Sequence, residues 1–200
     1  PLYRVWERLL SPLGNFRKYI DDNVEPDFVD GELAVIGINS ARALTFKGGR
    51  VNVQQLERLR ARLQPLPASL TKIVVSHHPF TLPAGADEDD IIGRARLAME
   101  VFHELGIDLM LSGHMHTSLA ANTSERYPIE GYAALVVQAG TATSTRGRGE
   151  ANSFNVLRID GGQVEIERHG WGDEHLDYRP VERQRFVRGG GGWQPVRVAE

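Results

Sequence analysis

KIVVSHHPF (residues 72–80) and DLMLSGHMH (residues 108–116) are the two stretches whose reading decides the fold. Each opens on a short apolar run, 72–76 and 108–112, that reads as a buried strand. Each strand then runs directly into histidines, in Ser76-His77-His78-Pro79 and in Gly113-His114-Met115-His116. Between them, Ile91, Ala95, Ala98, Phe102 and Leu105 share one face of a helix expected over 91–105, with Gly106 as its left-handed stop. Two strands joined by one helix are expected to be neighbours with the same direction. Both histidine groups then lie at the carboxyl edge of one sheet, where open α/β sheets bind ligands.

Upstream, ELAVIGINS (residues 32–40) reads as another strand covered on both faces. A helix follows, with Val53, Leu56, Leu59 and Leu63 on one face, a capping box from Asn52 and Gln55, and Pro65 and Pro67 as its stop. Residues 1–20 are helix-like, broken at Ser11-Pro12, with Phe16 to Ile20 as a further turn. Downstream of residue 117 the pattern changes. Residues 118–122, 132–138, 153–160 and 163–169 read as strands of an antiparallel half, with Asp160-Gly161-Gly162 as a hairpin turn. The glycine run 189–192 reads as a linker, which divides the chain into a folded part, 1–183, and a flexible tail, 184–200. The fold class is α/β, with a second sheet packed on the first.

Composition narrows the function. The 200 residues suit one domain, and the formal charge of −3 is too close to neutral for a nucleic-acid binder that works by charge. No apolar run approaches the ~20 residues of a membrane-spanning helix. The absence of cysteine excludes disulfides, thiolate metal sites and cysteine nucleophiles, and fits a reducing cytoplasm. The chain begins at Pro1 and its first methionine is Met99, so it reads as a processed product or a fragment.

The histidines carry the chemistry. Residues i and i+2 of an extended segment point the same way, about 6.5 Å apart, so His114 and His116 are expected to reach inward together. Such a pair could serve two metal ions about 3.5–4 Å apart, as in two-metal phosphoester chemistry. His77 arrives from the neighbouring strand end, and Pro79 ends that strand and stiffens the turn. His78 faces either substrate or a neighbouring loop. His103, His169 and His175 fit structural or exposed roles. Arg146 and Arg148 could grip phosphate oxygens, although a solvated hairpin tip is the better reading. The acidic run Asp87 to Asp90 is expected to cap the helix that follows.

The pair of histidine motifs, with the helix and strand between them, resembles the last two metal motifs of the calcineurin-like metallophosphoesterases. Leu33 to Ser40 and the stretch from Gly140 to Asn155 are similar to segments of the same family, and the resemblance covers most of residues 1–170. It implies two packed mixed sheets flanked by helices, with a dinuclear site at the strand ends and part of the fold upstream of Pro1. By that resemblance His77 and His114 bind one metal and His116 binds the other; His78 stays the candidate substrate contact read from its place beside them. The family's earlier motifs, D-x-H, G-D and G-N-H-D/E, have no counterpart in this sequence.

The intact protein is therefore expected to hydrolyse a phosphodiester or phosphomonoester with two divalent ions (Mn, Fe or Zn). This chain holds at most one ion weakly, since two would repel without a bridging carboxylate. It is expected to be inactive alone and to associate through an uncovered sheet edge. Two other readings fit the residues. One is a mononuclear zinc hydrolase built on His77, His114 and His116. The other is a non-catalytic α/β binding module with structural histidines.

Overall fold

Apolar periodicity builds the first sheet. The computed structural model describes residues 13–41, 49–144 and 150–196. After a short helix α1 (Gly14–Tyr19) come strands β1 (Asp27–Val29) and β2 (Leu33–Ile38). In β2, Ala34, Ile36 and Ile38 are buried against helices, while Leu33 and Val35 turn to the other face, half-buried. Helix α2 (Val53–Leu63) leads to β3 (Thr71–Ser76), and helix α3 (Ala95–Leu105) leads to β4 (Leu109–Ser112). Strands β5 (Leu119–Asn122) and β6 (Leu135–Gln138) complete a six-stranded sheet in the order β1-β2-β3-β4-β6-β5. β2, β3, β4 and β6 are parallel, and β1 and β5 pair antiparallel at the two edges.

The second sheet is a wholly antiparallel meander, β7 (Ser153–Asp160), β8 (Gln163–Gly172), β9 (Asp177–Gly189) and β10 (Gly192–Pro195). The sheets stack over a core of Ile73, Leu109, Leu135, Val137, Val164, Ile166, Phe186 and Trp193. On the opposite face of the first sheet, α2 and α3 pack over Ile36, Val74, Met110 and Val136. The second sheet is two strands narrower. Leu33, Val35, Val75 and Leu111 on one sheet and Leu157 and Ile159 on β7 are accordingly only half-buried. Among the described residues no helix is long and apolar enough to cross a membrane.

Several local expectations are met for the stated reasons. Asn52 and Gln55 form a reciprocal capping box, Gly106 ends α3 at φ 64°, and Asp160 pairs with Gln163 across the two-residue turn. Other expectations are corrected. β5 and β6 belong to the first sheet, and β6 runs parallel to β4. All four β6 residues are buried, the mark of a strand covered on both faces and not of an amphipathic antiparallel one. Helix α3 starts at Ala95, because Ile92 N–H is held by Pro79 O and Gly93 bridges to Arg50. Asp87 to Asp90 form their own short turn, capped by Asp87, and do not cap α3.

The largest correction concerns the described part of the expected tail, residues 184–196. Residues up to Val196 are ordered as the rest of β9 and as β10, and Trp193 is 1% exposed. The glycines serve a turn and a close approach. Gly192 has φ 102°, and a Cβ there would stand 2.3 Å from Ala133 N. The expected helix over 1–12 and the arginines Arg146 and Arg148 lie outside the described residues.

Candidate metal centre

Parallel register fixes where the chemistry gathers. Ile38 pairs with Ser76, Val75 with Leu111, and Ser112 with Gln138, so these strands end at one edge. The chain therefore delivers Ser40, His77 and His78, the 113–117 loop and Gln138 to the same rim. The two histidine loops are tied directly, since Gly113 N–H donates to His77 O at 3.2 Å. Ser76 Oγ donates to His78 O at 2.8 Å and closes the turn after β3.

His77, His78 and His114 come together, with one nitrogen from each lying within 4.8 Å of the others. The ring centroids are 4.8 Å apart for His77 and His78, 5.0 Å for His77 and His114, and 4.5 Å for His78 and His114. His114 Nδ1 is 3.2 Å from His77 Nε2. Two imidazole nitrogens on one tetrahedral ion at 2.0–2.1 Å would stand roughly 3.3 Å apart, so the spacing suits a shared ion as well as a direct hydrogen bond between the rings. No carboxylate joins this group among the described residues.

The 113–117 loop is not extended. His114 has φ 72° and His116 φ 62°, both left-handed, and Met115 between them is buried. The i, i+2 argument therefore fails here, because β4 stops at Ser112 and the chain turns. His116 is not in the close group. It is near enough for its charge to disfavour protonation of His77, and its Nδ1 is buried with no partner among the described residues. Ser112 Oγ, Thr117 Oγ1 and Gln138 Oε1 share that condition. All four atoms sit at or just beyond the carboxyl ends of β4 and β6.

Electrostatics favours ligand-ready imidazoles. Burial first, and then the neighbouring histidines His114 and His116, lower the pKa of His77. Burial, His114 and His77 bring His78 down to about 4. At neutral pH both rings are uncharged and keep a lone pair.

Two residues that sequence reasoning passed over hold His78. Ser40, 1% exposed just beyond β2, places Oγ 2.8 Å from His78 Nδ1 and 3.3 Å from its backbone N. Gly49 approaches so closely that a Cβ there would lie 2.3 Å from His78 Nδ1. Ser40 carried a usable signal as the polar residue ending a neighbouring strand, and Gly49 carried none. An apolar cavity of about 220 Å³ beside His77 is lined by Leu13, Phe16, Val24 and Ile38.

No protein-family model matches the chain, and no curated protein matches it. Solved structures to which the chain shows partial similarity include a provisionally assigned 5′-nucleotidase from Staphylococcus aureus. It is 16% identical with a TM-score of 0.39, over 90% of this chain and 31% of that one. GAP50, the anchor in the inner membrane complex of Plasmodium, is 14% identical with a TM-score of 0.46, over 79% and 53%. A predicted phosphoesterase from Streptococcus pneumoniae is 15% identical with a TM-score of 0.34, over 80% and 100%. The chain thus spans less than a third of the first of these and about half of the second. The two stacked sheets, with both histidine motifs at strand ends of the first, match the layout that the motifs implied.

Proposed function

We propose that this chain carries part of the metal site of a phosphoester hydrolase, with His77 and His114 as ligands of one divalent ion and His116 facing the place of a second. The observation that carries this reading is the 3.2 Å approach of His114 Nδ1 to His77 Nε2 at the carboxyl edge of a parallel sheet. His116 Nδ1, buried without a partner among the described residues, supports it, since a buried ring nitrogen is normally paired. Neutral imidazoles suit Zn, Fe and, beside carboxylates, Mn. A bound ion there supplies charge for a phosphoryl oxygen and acidifies a water. The protein's own residues hold the ligands in place, and burial keeps the His77 ring neutral.

Three imidazoles without a carboxylate favour one ion over two, because a metal pair needs bridging negative charge. The chain by itself is therefore expected to bind about one equivalent of Zn²⁺ and to hydrolyse bis(p-nitrophenyl) phosphate no faster than free metal. Calorimetric titration with Zn²⁺ and Mn²⁺, run on the wild type and on His114→Ala, tests the site. Binding unchanged in His114→Ala, or no binding in the wild type, refutes the metal reading. Robust turnover by these 200 residues would refute the claim that they hold only part of the site.

A further inference from the structure

We propose that Ser40 fixes His78 as the Nε2-protonated tautomer, making it a hydrogen-bond donor to an oxygen of the bound ester and not a metal ligand. This assignment rests on the phosphoester reading above. It follows from accounting for one buried proton. Ser40 is 1% exposed, and among the described residues its Oγ has two neighbours within hydrogen-bonding distance, His78 N at 3.3 Å and His78 Nδ1 at 2.8 Å. The backbone N–H can only donate, so Oγ accepts from it. If Nδ1 also carried a proton, Oγ would accept twice and its own hydrogen would be buried without an acceptor, at a cost of about 1–3 kcal/mol. With Oγ–H donating to Nδ1, all three groups are satisfied. Nδ1 is then the acceptor, and a neutral ring carries its proton on Nε2.

Gly49 makes room for this arrangement. A Cβ there would stand 2.3 Å from Nδ1 and 2.8 Å from Cγ, so a side chain at that position would push the ring away from Ser40. One nitrogen is therefore engaged and the other protonated, which leaves His78 no lone pair for a metal. His77 and His114 differ, since their nearest nitrogens face each other. The His78 ring stands 4.5 Å from His114 and 4.8 Å from His77, centroid to centroid. With an ion held by His77 and His114, His78 would stand beside it as a hydrogen-bond donor. Ser40 is thus a positioning residue that acts through His78.

Long-range ¹H–¹⁵N spectra of the histidine side chains, on the full chain at pH 7.5, test this directly. The expected result is a His78 pattern with Nε2 protonated and Nδ1 bare, unchanged by Zn²⁺ while the His77 and His114 signals move. In Ser40→Ala, His78 should become a mixture of tautomers, and inorganic phosphate should bind the zinc-loaded protein roughly fivefold more weakly, the worth of one hydrogen bond. A His78 ring protonated on Nδ1, or one that shifts with His77 and His114 on adding Zn²⁺, overturns the proposal. The wild-type spectrum decides the tautomer even if Ser40→Ala does not fold. If Zn²⁺ moves no ring at all, the metal reading fails separately.

Discussion

Replacing Trp193 by alanine should destabilise the chain by about 3–5 kcal/mol, the usual cost of removing a fully buried Trp or Phe side chain. Trp193 is 1% exposed and sits between the sheets with Ile73, Leu109, Leu135 and Phe186. The Arg188 guanidinium lies 5.1 Å from the ring centroid, a contact worth about 0.5–1 kcal/mol at a partly exposed site. The indole N–H lies near Asp108 without a well-formed hydrogen bond, so nothing is added for it. The backbone bond from Trp193 N to Ala133 O at 3.0 Å survives the substitution. Against a total stability of about 5–15 kcal/mol, the loss is large. With a urea dependence near 2 kcal/mol/M, the midpoint should fall by about 2 M, read by far-ultraviolet circular dichroism. Val187→Ala, on the exposed side of β9, is the control and should change stability by less than about 0.5 kcal/mol. If Trp193→Ala behaves like that control, residues 184–196 are a tail and the hairpin assignment is wrong.

Stability should also fall as pH drops from about 6.5 to about 4, the window between an unfolded histidine and His78 in the fold. Both His77 and His78 have lowered pKa values, so in that window the unfolded chain binds protons that the folded chain refuses. Urea midpoints at pH 7.5, 6.0 and 4.5 should decrease in that order, and His78→Gln should flatten the trend. A midpoint that rises on acidification contradicts the assigned direction. The second expectation concerns the outer edge of β7, which pairs with no strand among the described residues and carries half-buried Leu157 and Ile159. The isolated chain should self-associate in sedimentation velocity, and Leu157→Lys should shift it toward monomer. A concentration-independent monomer in the wild type removes the edge argument.

Legibility from sequence follows the range of the forces involved. Strands β2, β3 and β4, the capping box of α2 and the Gly106 stop of α3 were all readable, because each depends on neighbours a few residues away. So was the meeting of His77 and His114, which follows from a strand–helix–strand unit with a short connection. The turn of the 113–117 loop was not readable, since nothing in Gly-His-Met-His announces two left-handed residues. The place of β6 was also hidden, because four apolar residues do not say which sheet will cover them. Gly189 to Gly192 misled for the opposite reason, as a glycine run looks the same in a linker and in a tight hairpin against Ala133. Ser40 and Gly49 act on His78 across 38 and 29 residues of chain, and no local pattern encodes such contacts.

The second sheet braces the histidine loop. Holding His114 and His116 left-handed costs about 1–3 kcal/mol for each residue, and a loop this short cannot bear that alone. Met115, buried between them, anchors its middle. Gly113 N–H is held by His77 O, and Ala139 N–H by Ser112 O. Gln138 Nε2 donates to Thr117 O at 3.1 Å, and Ser118 N–H to Glu150 Oε2 at 3.0 Å. Each such bond contributes about 0.5–1.5 kcal/mol, so together with the buried methionine they match the strain. Two of these anchors reach into the antiparallel half. Asn155 on β7 donates to Gln138 O at 3.2 Å, and Ser118 Oγ meets Ser153 Oγ at 3.3 Å. A chain of contacts thus runs from β7 through Gln138 and Thr117 to His116. Loosening the packing between the sheets should therefore relax the histidine loop before the parallel sheet itself gives way.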